Sequence, residues 1–236
     1  MMPLVTIDGP AGVGKTSVSR AVAAALGYRM LPSGRIYRAM AWCLLQAGWQ
    51  AEQPPDHALL STLPLHMDGE GRLFRDGESL EAQLGSEVVS HAASRISADP
   101  AVRDRANAIL RQSVQAIAAE GRIPGVILEG RDMGTVVFPD APIKFFLTAD
   151  ADVRAERRFR ELAAASPAVA RDKAARDEVA ARMQARDERD TTREVAPLRP
   201  AADARTVDTT DMGLDEVVAA MLAHIQERLA DLTAGA

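Results

Sequence analysis

Gly9-Pro10-Ala11-Gly12-Val13-Gly14-Lys15-Thr16 follows the apolar run Leu4-Val5-Thr6-Ile7 and precedes Ser17-Val18-Ser19-Arg20-Ala21-Val22-Ala23-Ala24-Ala25-Leu26. Strand, glycine loop and helix in that order are the context a P-loop requires. Glycines let the backbone turn tightly with its N–H groups pointing inward, and the new helix adds unpaired donors and its positive dipole end. The residues Gly9 through Ser17 are therefore expected to cradle the phosphates of a nucleotide. Lys15 reaches the outer phosphates, and the Thr16 hydroxyl suits a phosphate-bound Mg²⁺.

Working outward, the chain has 236 residues, 47% hydrophobic and 26% charged, which suits a soluble globular protein that needs no disulfide or metal to fold. Its net charge of −5 provides no basic field for nucleic acid or an anionic membrane. No apolar run is long enough to span a bilayer, and the N-terminal apolar segment stops at Asp8, too short for a secretory signal. The single Cys43, in Ala41-Trp42-Cys43-Leu44-Leu45, fits a reducing compartment and reads as a buried helix residue. A cytoplasmic location is expected. His57, His66, His91 and His224 lack metal-ligand spacing and read as surface or packed residues.

An alternating α/β pattern continues beyond the first helix. Tyr28–Leu31 reads as a strand, with Ser33 capping a helix from Arg35 to Gln46. Between Pro64 and Leu80, short apolar segments separated by Asp68-Gly69 and Asp76-Gly77 predict a small antiparallel meander, an insert in the pattern. Helices are expected from Ser86 to Ala98 and from Pro100 toward Ala119, strands at Val126–Leu128 and Ile143–Leu147, a last strand at Thr206–Asp208 and a closing helix from Leu214 to Leu232. The charged stretch from Asp152 to Arg193 carries Glu156/Arg160, Asp172/Arg176 and Glu178/Arg182 at helical spacing, with a break at Ser166-Pro167.

Glu129-Gly130-Arg131-Asp132-Met133-Gly134-Thr135 reads as a polar turn at a strand's carboxyl end, where open α/β sheets bind ligands. Arginine beside aspartate offers a fork for phosphate and an acceptor for a base or sugar. No Asn-Lys-x-Asp motif supports a GTPase, and the Gly-Arg-Asp after Glu129 is unlike the acidic strand end of motor and transporter ATPases. Kinases of UMP, dTMP or AMP, and an idle nucleotide-sensing module, stay open on the residues alone.

Four segments together resemble the bacterial cytidylate kinases, nucleoside monophosphate kinases of CMP and dCMP: Ile7–Lys15, Ser33-Gly34-Arg35-Ile36-Tyr37-Arg38, Gly130–Ala141, and Arg189-Asp190 through Arg193 into Ala196-Pro197-Leu198. They stand in the family's order over nearly the whole chain. The resemblance implies one α/β P-loop kinase domain over residues 1–236, with a central parallel sheet flanked by helices. It also implies an antiparallel monophosphate-binding insert at about 62–85 and a helical lid at about 155–193. ATP with Mg²⁺ would be the donor, with CMP or dCMP as acceptor. Arg38, Arg131 and Arg193 would hold the acceptor phosphate beside Ser33. Ser94, Arg103 and Asp132 would read the cytosine, whose exocyclic amine suits the Asp132 carboxylate better than uracil does. Arg186 and Asp190 would approach pentose and phosphates from the lid, and Lys15, Arg131, Arg186 and Arg193 would carry catalysis. Nothing in the sequence demands an oligomer, and a monomer is expected.

Pro32 and Arg35 depart from the resemblance, which has Asp and Ala more often at these positions. Arg35 is expected either to alter pentose contacts or to point to solvent.

Overall fold

The computed structural model describes residues 2–50, 53–165 and 174–234. Five parallel strands form the main sheet in the order β2-β6-β1-β7-β8: β1 (Leu4–Asp8), β2 (Arg29–Pro32), β6 (Val126–Glu129), β7 (Ile143–Thr148) and β8 (Arg205–Asp208). A second, antiparallel sheet joins β3 (Leu65–Met67), β4 (Leu73–Arg75) and β5 (Glu78–Ser79). This is the α/β architecture with a small insert expected from the sequence. In β1, Ile7 pairs with Glu129 and with Phe145 on its two sides, so β1 is central and buried on both faces.

Strand alternation divides the apolar residues between two cores. Val126 and Leu128 face one core with Ile36, Met40, Leu44, Ile109 and Ile117, from α2 (Ser33–Gln46) and α5 (Pro100–Glu120). Ile127 faces the other with Val5, Ile7, Val18, Val22, Phe145, Met221 and Ile225, from the strands, α1 (Lys15–Leu26) and α8 (Leu214–Ala234). At about 25 cal/mol per Å² of buried apolar surface, these layers dominate stability.

Local signals set most helix ends. α1 stops at Gly27, in the left-handed region at φ 66°. Ser86 and Asp99 cap α4 (Glu87–Ile96) and α5 by accepting from Val89 N and Val102 N. Two local expectations change, and one short helix is added. Ser33 is the first residue of α2 and caps nothing; its hydroxyl donates to the Glu129 carbonyl at 2.9 Å, across to β6. A short α3 (His57–Thr62), capped by Asp56, follows Pro54-Pro55. Met133–Val137, expected as a turn, is a π-helical turn, with Val137 N donating to Asp132 O at 3.2 Å.

The charged stretch forms α6 (Ala151–Ala165) and α7 (Ala175–Thr192). Glu156–Arg160 and Glu178–Arg182 pair as spaced, at 2.8 and 3.7 Å. The expected Ser166-Pro167 break and Asp172 lie outside the described residues.

Candidate active site

The carboxyl ends of β1, β2 and β6 open into one cleft of about 1100 Å³, walled by the glycine loop, α2, α4, the turn after β6 and α7. Gly9 has no room for a side chain, because a Cβ there would run into the Leu147 carbonyl oxygen. Gly14 caps α1 from φ 92°, a conformation that suits glycine. Ala11, Gly12, Gly14, Lys15, Thr16 and Ser17 line the cleft. Gly9, Pro10 and Val13, also expected among the nucleotide-binding residues, do not line the cleft. Val13 is 1% exposed, packed in the core, and Pro10 offers its carbonyl to Lys15 Nζ at 2.5 Å.

Lys15 is 5% exposed at the centre of the site. Burial, then the Arg131 guanidinium, hold its ammonium well below the usual lysine range, with Glu129 acting the other way. Burial and Arg131 likewise push Arg186 down to about 10. The cleft therefore gathers cations that cost free energy until an anion joins them.

Asp190, 4% exposed, organises those cations. Arg131 Nε lies 3.2 Å from one of its oxygens, Arg186 Nε 3.9 Å from the same oxygen, and Arg193 Nη1 3.9 Å from the other. Arg186 Nε and Arg193 Nη2 are shut off from solvent without a hydrogen-bond partner. Such buried donors are costly unless a ligand accepts from them. Asp132 sits beside this cluster, paired with Arg103 and 3.7 Å from Arg193 Nη2. Burial pushes its carboxyl up, and the Arg103 charge opposes that shift most strongly. Ser94, in α4, accepts from Arg189 Nη2 at 3.4 Å, and Arg38 donates to Leu84 O at 2.7 Å and Ser90 Oγ at 3.2 Å. Apart from the three loop residues above, every expected site residue lines this cleft.

Thr16 Oγ1 lies 3.1 Å from both carboxylate oxygens of Glu129. One hydroxyl and one carboxylate suit a hard divalent ion that also binds phosphate oxygens and water. No cluster of three His, Cys, Asp or Glu side chains able to hold a metal occurs among the described residues.

Several contributors escape a sequence reading. Asp8 accepts from Met133 N at 2.9 Å and Gly134 N at 2.8 Å, so it fixes the turn carrying Arg131 and Asp132. Burial raises its carboxyl to about 6. Asp187 accepts from Ala11 N at 3.1 Å, while Arg154 donates to Ala11 O at 3.1 Å and pairs with Asp187. One residue each of α6 and α7 thus grips the glycine loop from both sides of Ala11. Asp8 carried a signal, an acid ending a buried strand; Arg154 and Asp187 carried none.

The cytidylate kinase family model matches residues 5–227. A cytidylate kinase of Shewanella loihica is 42% identical over 241 residues, covering 98% of this chain and 97% of its own. Those of Klebsiella pneumoniae and Vibrio vulnificus are each 40% identical, over 233 and 236 residues, covering 97% of this chain and 97% and 98% of their own. No helix among the described residues is long and apolar enough to cross a membrane.

Proposed function

The chain belongs to the cytidylate kinase family, and on that premise we propose how its cleft moves the γ-phosphoryl group of ATP to CMP or dCMP, giving ADP and CDP or dCDP. The observation that carries the proposal is the ring of arginines around Asp190, with buried donors on Arg186 and Arg193 lacking acceptors. A dianionic phosphate supplies what that ring is missing.

The glycine-loop amides and Lys15 hold the donor phosphates. Arg38, Arg131 and Arg193 hold the acceptor phosphate beside Ser33, and Arg186 spans the two. Attack on the γ-phosphorus is in line, and the acceptor oxygen is already deprotonated, so no catalytic base is needed. Rate then comes from position and from cations placed where charge builds up. Thr16, with Glu129 beside it, would hold Mg²⁺, which neutralises charge on the donor phosphates. Asp132, with Ser94 and Arg103, reads the cytosine, and Asp190 approaches the pentose from the lid. Closing α6 and α7 over the cleft keeps water from taking the phosphoryl group. We also propose that the protein works in the cytoplasm as a monomer.

A coupled assay of ADP release from Mg-ATP tests this, run with CMP, dCMP, UMP, dTMP and AMP and without acceptor. Fast release with CMP or dCMP and slow release with the rest is expected. Equal rates with UMP would remove the base assignment, and release independent of any acceptor would remove the kinase reading of the cleft.

A further inference from the structure

The antiparallel insert meets the main sheet along one seam, the junction of β2 and α2. Gly71, in the turn between β3 and β4, has φ +73°; a Cβ on it would lie 2.7 Å from the Met30 carbonyl oxygen and 3.0 Å from Pro32 Cδ. The turn therefore rests backbone against backbone on β2. Beside it Glu70 pairs with Arg29 at 2.7 Å. Farther along the seam, Arg35 in the first turn of α2 pairs with Glu81, whose other oxygen accepts from Leu73 N at 3.2 Å. Pro32 and Arg35, the two departures noted in the sequence, both lie on this seam. Arg35 points neither to solvent nor away from the insert.

Glu81 opens the connector 81–86, which is turn only and leads into α4. Arg38 follows Arg35 by three residues, so both project from one side of α2. Arg38 donates to Leu84 O in that same connector and to Ser90 Oγ in α4. Two arginines of one helix thus hold one strap, the first at its start and the second beyond its middle.

We propose that Arg35 is a positioning residue for the acceptor nucleotide: by fixing the strap through Glu81 it presents Arg38 to the acceptor phosphate before substrate arrives. The inference rests on the reading of Arg38 given above. The pair is about one-third exposed on each side, 32% and 35%, so it adds little to stability. Its effect is on geometry. From Glu81 to Gly85 the strap is turn only, and Arg35 Nε is closed off from solvent without a hydrogen-bond partner, so the bond that holds this guanidinium runs from Nη2 to Glu81. A strap fixed in advance removes an ordering cost from acceptor binding.

Steady-state kinetics of five variants test this. Arg35→Ala should raise KM for CMP about tenfold while KM for ATP stays within about twofold, since misplacement of one binding group acts on its own ligand. Arg35→Lys should recover most of the loss. Glu81→Gln keeps an acceptor for Leu73 N yet removes the ion pair; it should raise KM for CMP by the same factor as Arg35→Ala, and the double variant no further. Arg38→Met, measured alongside, should raise KM for CMP more than any of them. If Arg38→Met has no effect on KM for CMP, the acceptor-site reading fails. If Arg38→Met acts while Arg35→Ala does not, or if the two pair variants add independently or raise KM for ATP equally, the positioning role of Arg35 is overturned.

Discussion

Arg103 and Asp132 come from α5 and from the turn after β6, yet they pair side chain to side chain with 3% and 4% exposure. Arg193 faces the other Asp132 oxygen at 3.7 Å. A carboxylate between two buried arginines keeps lone pairs free for a donor from the substrate.

Asp132→Ala should therefore lower kcat/KM for CMP by at least about tenfold, because it removes the acceptor and strands two buried cations. UMP, which presents a carbonyl where CMP presents an amine, should lose less, so the CMP preference narrows. Comparing both substrates in both proteins checks this. An unchanged CMP-to-UMP ratio would mean that the base is read elsewhere.

Lys15→Ala should lower kcat on the order of 10²-fold or more, the usual consequence of deleting one electrostatic stabiliser. The fold should persist, since Lys15 is held under strain by burial among cations rather than supporting the core. Circular dichroism and turnover, measured together, separate the two. Near wild-type turnover in a folded variant would contradict the role.

Asp8 makes stability depend on pH. Its carboxyl is raised from 3.8 to about 6, so the folded chain holds that proton more tightly than the unfolded chain. Its contribution is complete below about pH 4 and is lost as pH rises through about 6, by on the order of 3 kcal/mol. In Asp8→Asn that slope should vanish, seen as a wild-type minus variant difference in unfolding free energy that changes between pH 4 and 7. A difference constant over that range would refute the assignment.

The lid should open easily. Among the described residues, its apolar hold on the glycine loop is one small cluster, Ala11, Val179 and Met183 with Leu162 packed against it, set beside cores many times larger. Hydrogen exchange across α7 should slow when ATP and CMP analogues bind together, because segments with few apolar contacts open locally at low cost. Equal protection with and without ligands would argue against a closing lid.

What was legible in the sequence is what contiguous residues decide. Leu4–Leu26 holds strand, loop and helix in one stretch, and Asp76-Gly77 shows its hairpin at once, with φ of 51° and 82°. Illegible were pairings between distant residues. Thr16 and Glu129 are 113 residues apart, and Arg154 and Asp187 sit in a run so rich in both signs that no spacing singles them out. Ser33 misled for a related reason: a serine before a helix suits a cap, but the helix here already begins at Ser33, and with β2 beside β6 its hydroxyl donates to the Glu129 carbonyl. The family resemblance singled out arginines that periodicity could not, and the folded chain brings three of them, Arg131, Arg186 and Arg193, to the Asp190 carboxylate.

The π-helical turn at Met133–Val137 leaves one last consequence, for how the gene can change. Asp8 grips two successive amides at its start, Val137 N reaches back five residues to Asp132, and Phe138 N closes on Met133 O at 2.7 Å. Each bond counts residues. An insertion or deletion anywhere between Glu129 and Phe138 would turn Arg131 and Asp132 out of the cleft, so this stretch, though it lies between two strands, is fixed in length.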